Sequence, residues 1–248
     1  MGLINTDKKY KSLSTFGCSY TTGFLLGDKG SWGFHLAELL NCKHNNLGGG
    51  QSNPNILNGI IRYCETNDMT DCCVGIEWSE VTRREVWDKE KQKYNIFGVN
   101  NFDKVENHKP FINEDNLEFF TSIWFDLNEN ILRTVNSIIL AKSYLQSKNI
   151  DFIMFEGINS IMDVKRKKSN FDIGREFNLI ETILLNDEYK MSLLNDVTFF
   201  NKFGNWHQAM FKNPLFDSKE NGGHPNMEIV KWWAKEIYDY LLINKTQP

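Results

Sequence analysis

Apolar positions along the chain follow two different periods. Short, nearly continuous apolar runs of the kind that fill a buried strand occur at Ser12–Cys18 (SLSTFGC), Asp71–Trp78 (DCCVGIEW) and Asp151–Phe155 (DFIMF). Between them the spacing becomes helical. Trp32, Leu36, Leu39 and Leu40 predict a first helix over Ser31–Leu40, and Ile56, Ile60 and Ile61 a second, with Pro54 suited to its first turn. A short segment around Lys43–Leu47 and the glycine-rich Gly48–Asn53 separate the two. The longest amphipathic pattern covers Thr121–Lys148 through Ile131, Val135, Ile138, Ile139 and Leu145. A helix over Glu176–Leu194, a short strand near Val197–Phe200 and a closing helix over Pro225–Ile243 complete the pattern. This alternation predicts a three-layer α/β/α fold around a five-stranded parallel sheet in flavodoxin-like order. Thr82–Phe120 is polar and weakly periodic, so the chain reads as one domain, 1–248, with an insertion at about 82–120 that carries a hairpin or short helices.

Composition narrows the function classes. The 248 residues are 41% hydrophobic and 13% aromatic, enough for a packed core and too much for a disordered chain. Lys and Arg number 28 against 32 Asp and Glu, and a net charge of −4 speaks against a general nucleic-acid binder. The basic run Lys165–Lys168 reads as a solvated loop. Five cysteines, an odd number without a CxxC pair, argue against a disulfide framework and against a zinc site, so no metal is expected. No stretch is apolar for the ~18–20 residues that a spanning helix needs, and no signal peptide is visible. The expectation is a cytoplasmic protein without a membrane or nucleic-acid partner; the sequence leaves its oligomeric state open.

Doubly wound sheets bind their ligands at the carboxyl ends of the strands. Three strand ends carry chemistry here: Gly17-Cys18-Ser19, Gly50-Gln51-Ser52-Asn53 and Glu77-Trp78-Ser79-Glu80. A late histidine follows in Gly222-Gly223-His224-Pro225-Asn226, just before the last helix. These are the parts of an acyl-transfer site. A serine hydroxyl is a weak nucleophile until a base takes its proton, and the substrate carbonyl needs preorganised donors as it becomes an oxyanion. Trp78 reads either as a substrate wall or as plain packing, and Arg83 or Arg84 either as a grip for an acidic group or as surface charge. His207 is a candidate pocket residue, whereas His35 and Cys18 read as structural.

In these motifs and their order the chain resembles the SGNH (GDSL-like) hydrolase superfamily, in a divergent form seen in phage and bacterial proteins. The resemblance covers nearly the whole chain. Gly17-Cys18-Ser19 matches the family's first motif and implies that Ser19 is the nucleophile. Asn46-Leu47-Gly48-Gly49-Gly50 resembles the second and implies an oxyanion donor at the Gly50 N–H, beside that of Ser19. His224 in Gly-His-Pro-Asn matches the last and implies the base. In the third motif Ser79 stands where the family has its oxyanion asparagine, with Asn53 and Trp78 as neighbouring binding candidates. The acid usually found three residues before the histidine is replaced by Asn221. Asp217 is the first candidate to orient His224, with Glu220, Asn221 or a backbone carbonyl as alternatives. The resemblance implies a cofactor-independent serine esterase that forms an acyl-enzyme on a small acyl ester, of the acetyl type and possibly of carbohydrate.

Two other readings stand beside it. The departures in the third and last motifs fit a catalytically weakened SGNH domain that binds a glycan or builds a particle. Leu47-Gly48-Gly49-Gly50-Gln51 superficially resembles a nucleotide- or S-adenosylmethionine-binding loop, but it does not follow the first strand as such loops do.

Overall fold

The computed structural model describes residues 2–81, 83–89, 92–97, 127–157, 206–216 and 224–244. Among these residues four strands form a parallel sheet: β1 (Ser12–Phe16), β2 (Lys43–Asn46), β3 (Cys72–Trp78) and a last described strand, Asp151–Glu156. A separate antiparallel hairpin, β4 (Arg84–Asp88) and β5 (Lys93–Phe97), lies between β3 and that last strand in sequence, which is therefore β6. The helices are α1 (Ser19–Thr22), α2 (Trp32–Leu39), α3 (Asn53–Thr66), α4 (Leu127–Ser147), α5 (Trp206–Lys212) and α6 (Met227–Ile243).

The order of the sheet is β2-β1-β3-β6, the doubly wound arrangement that the alternation predicts. The fifth strand expected near 197–200, and the helix expected over 176–194, fall outside the described residues. So does most of the 82–120 insertion, whose described part is the β4–β5 hairpin.

Alternation along the strands builds the two faces. In β6, Phe152 and Met154 join Val74, Ile76 and Trp78 of β3 on one side, covered by α3 and α4 through Ile56, Ile60, Ile131, Val135 and Ile138. Ile153 and Phe155 face the other side with Leu13 and Cys73, covered by α2, α5 and α6 through Leu36, Met210, Ile229, Trp233 and Ile237. The second face holds an aromatic chain. Phe155 meets Trp32 edge-on at 4.9 Å and Trp233 at 5.5 Å, and Trp233 stacks on Trp206 at 5.7 Å with 6° between the planes.

Caps set the helix starts. The Ser31 side chain accepts from Gly33 N–H at the start of α2, and Asn226 Oδ1 accepts from Ile229 N–H at the start of α6. The β2 strand, Lys-His-Asn-Asn, is almost wholly polar and half exposed at the sheet edge. Because β1 is followed by β2 on one side and β3 lies on the other, the winding reverses between β1 and β3. Their carboxyl ends flank the crevice where such a fold binds ligands.

Candidate active site

Ser19 follows β1 by way of Gly17 and Cys18 and is the first residue of α1. The residue before the turn has to be glycine, because a Cβ on Gly17 would lie 2.8 Å from Glu77 Cβ and 2.9 Å from the Glu77 carbonyl oxygen. Cys18 O accepts from Thr21 N–H and Thr22 N–H, and Ser19 O from the Thr22 hydroxyl at 2.7 Å, which closes a tight turn. Across the crevice, His224 precedes α6, held by the Asn226 cap and by Asn226 Nδ2 donating to Leu215 O at 2.9 Å. The two elements bring His224 Nε2 to 3.2 Å from Ser19 Oγ. The imidazole is wedged between Tyr20, edge-on at 5.3 Å, and Phe24 at 4.6 Å.

The glycine loop after β2 sits against the same turn. Gly49 N–H donates to Gly17 O at 2.9 Å, and a Cβ on Gly48 would lie 2.8 Å from Thr21 Cγ2. Gly50 is thus one residue from the contact that joins the loop to the Ser19 turn. Asn46 fixes the loop's entry: its Oδ1 accepts from Gly48 N–H and its Nδ2 donates to Thr22 O.

At the end of β3, Ser79 is buried, and its hydroxyl has no hydrogen-bond partner among the described residues. Its backbone is fully engaged. Asn53 Oδ1 accepts from Ser79 N–H at 2.7 Å, and Asn53 Nδ2 donates to Ser79 O and to Thr134 Oγ1, both at 3.0 Å. Asn53 is therefore a buried clamp on the strand end, with its amide committed to the protein. Trp78 is 1% exposed and packs in the core with α3 and α4, so its indole offers a substrate no surface. Arg84 donates to Glu129 Oε2 and Asn130 Oδ1, each at 2.7 Å, and Arg83 lies 3.7 Å from Glu80. His35 contacts Glu38 and Met227, and His44 contacts Thr15 Oγ1, with burial lowering its pKa to about 4. The side chains of Asp217, Glu220, Asn221 and His207 lie outside the described residues.

A residue absent from the sequence-based candidates lies directly beneath the turn. Glu77, fully buried at the end of β3, accepts from the Cys18 thiol at 2.9 Å, from the Thr21 hydroxyl, and from Trp32 Nε1 at 3.3 Å. Burial raises its pKa to about 7, opposed by those three donors and by the Arg83 charge. Cys18 is itself wholly buried, and burial followed by the neighbouring Glu77 charge pushes its thiol well up, away from the reactive thiolate. The sequence carried one sign of Glu77: an acid inside an otherwise apolar strand run.

Among the described residues no group of His, Cys, Asp and Glu could hold a metal ion, and no helix is long and apolar enough to cross a membrane. All five cysteines are free thiols.

No family model matches the chain, and no curated protein matches it. Solved structures share its fold. A protein assigned to the lipolytic G-D-S-L family of Desulfitobacterium hafniense DCB-2 superposes with a TM-score of 0.50 at 10% identity, over 93% of this chain and 99% of that one. A psychrotrophic esterase of Pseudoalteromonas sp., solved inhibited by monoethylphosphonate, does so with a TM-score of 0.50 at 12% identity, over 94% of this chain and 97% of that one. The three-layer α/β/α architecture is thus shared with these two structures.

Proposed function

We propose that this protein is a serine ester hydrolase working through an acyl-enzyme, with Ser19 as nucleophile and His224 as general base and acid. The observation that carries the reading is the 3.2 Å approach of His224 Nε2 to Ser19 Oγ, at the crevice where the fold binds ligands. In the first step His224 Nε2 takes the proton as Ser19 Oγ attacks the ester carbonyl carbon. The tetrahedral intermediate collapses when the carbon–alkoxy bond breaks, and the imidazolium returns its proton to the departing alcohol. Water, deprotonated by the same imidazole, then attacks the acyl-enzyme and releases the acid and Ser19.

The oxyanion donors in this reading are the N–H groups of Ser19 and Gly50 and the hydroxyl of Ser79. The part given to Ser79 is supported by its buried hydroxyl, which has no partner among the described residues. Asp217 is the proposed group that orients His224, seven residues before it in the chain. Acetyl-type esters, including those of carbohydrates, are the substrate class proposed, on the analogy of the fold.

The test is reaction of the purified protein with a fluorophosphonate probe and location of the adduct by mass spectrometry. The Ser19 oxygen displaces fluoride from phosphorus only when a base has activated it. An adduct at Ser19 that is strongly reduced in His224→Ala is expected. A folded protein that forms no adduct at neutral pH would overturn the reading in favour of a ligand-binding domain on a hydrolase fold.

A further inference from the structure

The acyl-transfer reading uses Ser19, His224 and the donors above the sheet, and it leaves Glu77 without a task. A buried carboxylate surrounded by donors is costly to build, and this one is enclosed with care. Its two oxygens receive the Cys18 thiol, the Thr21 hydroxyl and the Trp32 indole. Besides Gly17, the glycine at the end of β6 makes room for it: a Cβ on Gly157 would lie 2.9 Å from Glu77 Cγ. Cys18 and Thr21 bracket Ser19 in sequence, so one carboxylate ties down both sides of the nucleophile turn. Trp32 Nε1 also reaches Thr21 Oγ1 at 3.2 Å, which turns the donors into a connected network.

We propose that Glu77 is a positioning residue for the nucleophile: ionised, it grips Cys18 and Thr21 and so holds the Ser19 hydroxyl against His224. The inference rests on the reading of Ser19 as nucleophile. All three partners of Glu77 are donors, so the ionised form accepts from each of them. A protonated carboxyl turns one oxygen toward donation and must give up or reverse one of those bonds. The groups with charge or protons to exchange that face it are Cys18 and Tyr20 from the turn and Arg83 beyond β3. From α2 comes the Trp32 indole, and from β6 the backbone at Gly157.

Stability and reactivity then depend on pH in opposite senses. Burial lifts the Glu77 pKa from its ordinary 4.5 to about 7 in the folded protein. The folded state therefore binds this proton more tightly than the unfolded chain does. The stability linked to Glu77 is fully present below about pH 4.5 and is lost as pH rises through about 7. The grip on the turn, in contrast, is gained as pH rises through the same range. A purely structural acid would support the site best where it supports the fold best, in the protonated form.

The experiment measures the rate of fluorophosphonate labelling at Ser19 between pH 5 and 9, alongside thermal melts, for the wild type, Glu77→Gln and Thr21→Val. In the wild type two groups, His224 and Glu77, are expected to lose protons along the acid limb, so the rate falls by more than tenfold per pH unit at its steepest. Glu77→Gln is expected to melt without the wild-type fall in Tm between pH 5 and 8. It should label roughly tenfold more slowly at pH 8, as a misplaced nucleophile does, with a limb reduced to one proton. Thr21→Val keeps the acid and removes one donor to its ionised form, so its limb moves to higher pH. It decides the matter alone if Glu77→Gln does not fold. Wild-type rate and slope in Glu77→Gln, or an unmoved limb in Thr21→Val, would overturn the inference while leaving Ser19 the nucleophile. A wild type that labels at no pH would instead remove the acyl-transfer reading.

Discussion

His224 Nε2 lies 3.2 Å from Ser19 Oγ although 205 positions separate the two residues in the chain. Nothing local holds them together: Ser19 depends on the end of β1 and His224 on the start of α6. If the pair acts as nucleophile and base, Ser19→Ala and His224→Ala should each lower kcat on a short-chain aryl ester by at least ~10³. The double variant should be hardly worse than either, because residues that act as a unit are not additive. Steady-state hydrolysis measured on all three variants checks this.

Asp217 is expected to act through His224 alone. Asp217→Asn should cut kcat by orders of magnitude, as a wrong imidazole tautomer does, with KM little changed. A change below about threefold would transfer the role to Glu220, Asn221 or a carbonyl.

Ser79 separates activity from stability. Its hydroxyl is buried without a partner among the described residues, so Ser79→Ala removes an unsatisfied group and should leave Tm equal or slightly higher. If the hydroxyl serves the oxyanion, the same change lowers kcat, by up to the ~10²–10³ typical of one lost donor, while the two backbone N–H groups keep some activity. Melting curves and ester hydrolysis on one preparation test both halves.

Asn53 has the opposite profile. Asn53→Ala leaves the buried N–H and carbonyl of Ser79 without their partner. A loss of about 2–3 kcal/mol is expected, read as a Tm lower by roughly 5–10 °C. Asn53→Asp is not a rescue, since it cannot donate to Ser79 O or Thr134.

Leu25 is 64% exposed in a left-handed conformation, with φ 69°, between Gly23 and Gly27. A leucine gains nothing there to offset the backbone cost of about 1–2 kcal/mol. Leu25→Gly relieves that cost and loses part of the gain to unfolded-chain entropy. A net gain of about 0.5–1 kcal/mol, or roughly 2 °C in Tm, is expected by calorimetry.

The framework of the fold was legible wherever one element supplies its own signal. The apolar run of β3 and the i, i+3, i+4 spacing of α4 and α6 identify themselves, because burial on two faces or on one stripe leaves a pattern in the residue types. The edge strand β2 did not, since Lys43-His44-Asn45-Asn46 is half exposed and held by the β1 backbone and by polar side-chain bonds, to Thr15 from His44 and to Ser14 from Asn45, which leave no apolar pattern. Ser19 and His224 stood out through short motifs in the order of the family they resemble, and the structure brings the two side chains together. Of the two readings of Trp78, wall or packing, the structure has the packing one: a strand end does not say which of two faces a side chain takes, and here it is the core face. Glu77 is the neighbour across that alternation. Its meaning lay in Cys18, Thr21 and Trp32, contacts made between elements that no local pattern connects.

The aromatic chain on the α2–α6 face gives the molecule an unlabelled optical read-out. Trp206 and Trp233 are close and nearly parallel, at 5.7 Å and 6°, so their electronic transitions couple. The near-ultraviolet signal of that pair reports whether α5 is docked on α6. At the far end of the chain Trp32 directs its N–H at Glu77, so its emission should follow the carboxyl as it gains or loses charge. Docking of α5 on α6 and the ionic state of Glu77 beneath Ser19 thus each have an indole contact through which they can be followed in solution.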